Sequence, residues 1–134
     1  MPFVLDASIA ACWAFQDEDD PVADLALERI LTDEARVPDP WWFEIRNILI
    51  VNERRGRLTE AATAAFLNGL ARLPITADHA PREADVLMLA RRHRLSVYDA
   101  AYLELTRREG VPLATLDKDL AKAARAEHLS LLGE

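Results

Sequence analysis

Phe3-Val4-Leu5-Asp6-Ala7-Ser8 opens the chain with three apolar residues that read as a short buried strand. Asp6 ends that strand, and Ser8 predicts the cap of a helix reaching Phe15. The same alternation recurs along the sequence. An acidic loop, Gln16 to Asp20, leads into Asp20-Pro21, a capping residue followed by proline at the first helical position, and predicts a helix to about Glu34. Arg36-Val37 predicts a short strand, and Asp39-Pro40 starts a helix that runs to Arg55 and stops at Gly56. Thr59 caps an alanine-rich helix to Ala71, Leu73 to Thr76 predicts a strand, and Pro81 to His93 a further helix. Ser96 begins a helix ended by Gly110. Val111 to Thr115 predicts a buried strand, then come Asp117, a helix to Glu127 and a last strand at Leu129 to Leu132. Strands alternating with helices predict an α/β fold with a mainly parallel sheet covered on both faces.

The 134 residues suit one domain spanning 1–134, with no linker or internal repeat. Cys12 is the only cysteine, which excludes an intrachain disulfide and fits a reducing compartment. Neither a signal sequence nor an apolar run near the roughly 18 residues of a membrane span is visible. The expected location is therefore the cytoplasm. A net charge of −7 argues against a general nucleic-acid binder, because polyanions repel. Two bound divalent cations would bring it to about −3, which leaves room for a metal-dependent enzyme acting on nucleic acid.

Four acids stand in places that favour a ligand. Asp6 and Asp117 follow strands at the sheet edge where α/β proteins bind ligands. Each has an ordinary alternative, as a turn residue or helix cap. Glu44 lies in WWFEIRNILIV, residues 41–51, where only Glu44, Arg46 and Asn47 are polar. A helix this apolar predicts burial, and a buried carboxylate needs a cation or donors. Asn47 shares its face. Asp99 has capping-box spacing from Ser96, which alone would account for it. Asp119 belongs to a weak Asp-Lys-Asp signal. Taken together, an oxygen-only set suits Mg²⁺ or Mn²⁺, and carboxylate clusters holding such ions recur in phosphodiester hydrolysis.

Four segments carry these acids: VLDASI at 4–9, PDPWWFEIRNIL at 38–49, LSVYDAAYLELT at 95–106 and PLATLDKDLAKAA at 112–124. Together and in this order they resemble the PIN-domain ribonucleases, specifically the VapC-like toxins of toxin–antitoxin pairs. The resemblance covers the whole chain. It implies a three-layer sandwich with strand order 3-2-1-4-5 and a Mg²⁺ or Mn²⁺ site formed by Asp6, Glu44, Asp99 and Asp117. It further implies Thr115 as a hydroxyl neighbour, with Asp119 and Asn47 as accessory positions. The implied activity is endonucleolytic hydrolysis of RNA, and the implied partners are an inhibitory antitoxin and a second copy of the chain.

Other features read as structural. Arg54, Arg55 and Arg57, Arg91 to Arg94, and Arg107-Arg108 fall at predicted helix ends, where cations complement the dipole. His79, His93 and His128 lack the spacing of a zinc site and are expected at the surface or in loops. Trp41, Trp42 and Phe43 are expected in the core, and Trp13 and Phe15 near a partner groove. Two rivals are a non-catalytic PIN-fold binding module, which loss of an acid would have marked, and a magnesium-binding phosphoacceptor domain. The latter, like a D-x-D phosphatase, needs paired acids after the first strand, where Ala7-Ser8 stand instead.

Overall fold

The computed structural model describes residues 1–134. β1 (Phe3–Leu5) is followed by α1 (Ala7–Cys12), α2 (Pro21–Arg29), β2 (Ala35–Pro38), α3 (Pro40–Arg54), α4 (Glu60–Leu70) and β3 (Ile75–Asp78). Then come α5 (Glu83–His93), α6 (Val97–Glu109), β4 (Leu113–Ala114) and α7 (Lys118–Ala126). The strands form one parallel sheet in the order β3-β2-β1-β4. From β1 the chain builds outward through β2 and β3, then returns to set β4 on the other flank. This reversal opens a crevice at the carboxyl ends of β1 and β4, the place where ligands bind in such sheets.

Phe3, Val4 and Leu5 are fully buried, as a central strand with neighbours on both edges requires. They belong to a core cluster of 30 residues, to which α6 contributes Tyr102, Leu103 and Leu105. α6 packs on β1, β2 and β4 and against α5 and α7, while α1 packs on α2 and α3. No helix is long and apolar enough to cross a membrane.

Several elements differ from their sequence reading. The expected fifth strand is a single bridge, Leu131 to Leu113, because β4 itself offers only two residues for pairing. α2 stops at Arg29 rather than Glu34, where the chain tightens into three-residue turns: the Leu31 and Thr32 N–H groups donate to the Glu28 and Arg29 carbonyls at 3.3 and 3.1 Å. The helix expected from Pro81 begins at Glu83. Asp39 does not cap α3, since its backbone is already helical and its carboxylate pairs with His79. Nor does Ser8 cap α1: it lies within the helix, and Asp6 occupies the cap position.

α3 is also less buried than its composition predicts. Trp41, Ile45, Leu49 and Asn52 form its inward stripe, while Trp42 and Phe43 are 52% and 71% exposed. With about 3.6 residues per turn, positions 42 and 43 rotate away from that stripe. Trp42 instead carries the Arg46 guanidinium 3.8 Å above its ring.

Candidate active site

Asp6 leaves β1 at its carboxyl end and is only 6% exposed. Its backbone N–H donates to the Ala114 carbonyl at 3.0 Å, so the exits of β1 and β4 are joined. Two hydroxyls converge on Asp6 Oδ2: Ser8 donates at 2.7 Å and Thr115 at 2.6 Å. Their direction is fixed by backbone donors, because the Leu116 N–H reaches Ser8 Oγ and the Asp117 N–H reaches Thr115 Oγ1, each at 3.0 Å. A hydroxyl that accepts from a backbone N–H turns its own proton outward. Both protons therefore point to Asp6.

Asp117 occupies the cap of α7, where its Oδ1 accepts from the backbone N–H groups of Asp119 and Leu120 at 2.9 and 3.1 Å. Asp99 lies half-buried in the first turn of α6. Only half of the expected capping box forms there. Ser96 Oγ accepts from the Asp99 backbone N–H at 3.1 Å, and the Asp99 carboxylate makes no return bond within the helix. Glu44 is half-buried on α3 and receives the Tyr102 hydroxyl on Oε1 at 2.7 Å.

These acids feel one another. Burial pushes the Asp6 carboxyl up, and the Thr115 and Ser8 hydroxyls only partly offset this. Glu44 is raised first by burial and then by Asp6 and Asp99, with Tyr102 pulling the other way. Asp99 is raised by burial, then by Asp117 and Asp6. Burial, then Asp6 and Glu44, hold the Tyr102 phenol far above its ordinary value, so it remains a donor. Elsewhere, Asp33, Asp78 and Glu134 sit below the ordinary carboxylate range because the N-terminus, Arg108 and Arg125 donate to them. None of the ion pairs in the molecule involves Asp6, Glu44, Asp99, Asp117 or Asp119. Donors to the cluster are hydroxyls and backbone amides alone.

That chemistry fits a hard divalent cation: every donor is oxygen, the carboxylates resist sharing a site, and no protein cation competes. No three acids converge into a preformed metal cage. Mg²⁺ does not need one, because it retains water and binds through one or two carboxylates together with substrate phosphate.

The accessory positions separate. Thr115 is bonded into the cluster as described. Asp119 is exposed and lines, with Asp99, a groove of about 500 Å³ between α5 and α7. Asn47 is exposed beside Glu44 and borders a second groove with Phe43 and Tyr98. Ser8 and Tyr102 are the members that sequence reading missed, although Ser8 stands two residues after Asp6 and Tyr102 three after Asp99, on the same helical face.

Other expectations also change. His93 is half-buried rather than a surface residue, with Nε2 2.6 Å from Glu127. Trp13 and Phe15 serve the fold: the Trp13 indole donates to the Ala23 carbonyl at 2.9 Å, and Phe15 is buried under the Arg57 guanidinium. Among the arginine clusters, Arg57, Arg92 and Arg108 are held in ion pairs.

A parallel β3-β2-β1-β4 sheet with acids around the β1–β4 crevice agrees with the class to which the chain belongs, the PIN domain, whose family model matches residues 3–126. It is 33% identical over 125 residues to Ribonuclease VapC3 of Pyrobaculum aerophilum, covering 91% of this chain and 94% of that protein. Two crystal structures share the fold. PAE2754 from P. aerophilum superposes with a TM-score of 0.70 at 23% identity, over 92% of this chain and 87% of that one. VapC20 of Mycobacterium tuberculosis, a sarcin-ricin loop cleaving toxin, gives 0.62 at 19% identity, over 90% and 94%.

Proposed function

We propose that this protein is a Mg²⁺- or Mn²⁺-dependent endoribonuclease and the toxin of a toxin–antitoxin pair. The observation that carries the reading is the gathering of Asp6, Glu44, Asp99 and Asp117 about the β1–β4 crevice with no ion pair to a protein cation. The kinship with Ribonuclease VapC3 supports RNA as the substrate and, through the toxin class it shares with VapC20, an antitoxin as partner; a homodimer belongs to the same proposal.

Asp6, Asp99 and Asp117 are the residues that would hold the ion. When bound, it neutralises charge on the phosphate and acidifies water. Asp6 is preoriented, because Ser8 and Thr115 fix one of its oxygens. Glu44 has a raised proton affinity and a side chain steadied by Tyr102, so it suits the handling of a proton from the attacking water. An antitoxin would silence the site by presenting a basic side chain to these acids.

The test is cleavage of RNA by purified protein with Mg²⁺ or Mn²⁺, with excess chelator, and with Ca²⁺. Turnover is expected only with the first two, since the looser coordination of Ca²⁺ positions water poorly. Full activity in chelator would falsify the metal reading.

A further inference from the structure

A chain of net charge −7 with an acidic site must hold a polyanion through local cations. Arg29, Arg36, Arg57, Arg92, Arg108 and Arg125 are already in ion pairs. The groove beside Asp99 and Asp119 is bordered by two cations that have no acidic partner, Arg94 and Lys122. Lys122 also borders the neighbouring groove that reaches Thr115 and Asp117, so it stands on the ridge between two approaches to the acids.

Arg94 carries a second mark. It caps α5 in the left-handed conformation, φ 55° and ψ 41°, which favours glycine. After α3 and α6 the corresponding left-handed residues are Gly56 and Gly110, and after α7 it is His128. The Arg94 side chain is exposed and makes no hydrogen bond or ion pair, so no internal contact accounts for a bulky cation there. Its guanidinium is free to meet an anion in the groove it borders.

We propose that Arg94 and Lys122 form a phosphate-binding rail along which the RNA backbone leaves the acid cluster; this rests on the nuclease reading above. Its test is binding of a short fluorescent oligouridylate across a salt series, in the Asp6→Asn background so that cleavage does not intervene. Arg94→Gln and Lys122→Gln are each expected to weaken binding about three- to tenfold and to reduce the log–log salt slope by about 0.7, the value for one phosphate on a single strand. Arg72→Gln, which removes an unpaired arginine from outside the groove, should change neither.

Unaltered affinity and slope in the groove variants would overturn the rail, as would an equal loss for Arg72→Gln, which would reduce the effect to net charge. Arg94→Gly separates binding from folding. It is expected to melt no lower than its parent while losing affinity; a lower melting temperature with unchanged binding assigns Arg94 to the fold and overturns the proposal. Cleavage by the wild-type chain with Mg²⁺ is scored separately. Binding through the rail without cleavage would sink the nuclease reading alone, and cleavage without dependence on Arg94 or Lys122 the rail alone.

Discussion

The Tyr102 hydroxyl donates to Glu44 Oε1 at 2.7 Å, joining α6 to α3 across 58 residues of sequence. Tyr102 is fully buried, whereas Glu44 keeps part of its surface in solvent. The phenol therefore acts as a fixed post that sets the direction of a partly exposed carboxylate.

Tyr102→Phe preserves the packing and removes only that donor. Stability should fall by about 1.5–3 kcal/mol, the usual worth of a hydrogen bond to a charged group. The cleavage rate should fall roughly tenfold, about 1.4 kcal/mol of transition-state stabilisation, with KM unchanged. Steady-state kinetics beside a thermal melt decide it. A destabilised variant with full kcat would make Tyr102 a packing residue only.

Asp6→Asn should reduce cleavage by roughly 10²–10³-fold, the scale for losing one electrostatic element of an active site. Asp119→Asn should cost less than about tenfold, because that side chain is exposed and makes no bond to the cluster. Single-turnover rates on one RNA rank the two; equal losses would contradict the ranking.

Asp99→Asn should stabilise the protein when no divalent ion is bound. Burial, then Asp117 and Asp6, hold the folded Asp99 carboxyl above its unfolded value. The folded chain thus binds more protons than the unfolded one between those values, and stability falls as pH rises through that window. The penalty is complete above the folded value. The Ser96 cap uses the backbone N–H of residue 99, so the substitution leaves it in place. Melting in chelator at neutral pH should rise by about 2–5 °C, while the gain from added Mg²⁺ shrinks. A lower melt with the full Mg²⁺ response would make Asp99 structural.

Asp78 predicts the opposite dependence. Arg108 holds it with bonds of 3.0 and 2.9 Å and lowers its folded value below the unfolded one. The resulting stability is present above the unfolded value and lost as pH falls through the folded one. Asp78→Asn should cost about 1–3 kcal/mol at neutral pH and flatten the melting curve below about pH 4. Parallel curves for variant and wild type would rule out this contribution.

The acids at strand exits were legible because a strand, a turn and a helix leave separate local marks, and the sheet rule then places those exits together. Of the hydroxyls, only Thr115 was expected, through the family resemblance. Ser8 looks like a helix cap, and its actual partners include a backbone amide 108 residues away. Tyr102 was hidden among apolar neighbours, since a phenol reads as core until its hydrogen-bond partner is known. Trp42 and Phe43 were misplaced for a different reason: counting apolar residues ignored the turn of the helix, which leaves room for only one inward stripe. His93 is held by Glu127, 34 residues away, a pairing that no local pattern announces.

The bond from Thr115 to Asp6 spans 109 residues, and this governs when the protein can become active. During synthesis Asp6 emerges first, and β1 waits for β2 on one edge and for β4 on the other. A chain interrupted before residue 117 lacks Asp117, and one stopped before β4 also lacks the hydroxyl that orients Asp6. Contacts of such high sequence separation form late and slowly, because the closure entropy of the intervening loop precedes any return. Truncated products of a stalled ribosome are therefore expected to be inert, and cleavage activity to begin only after nearly all of the polypeptide has been made.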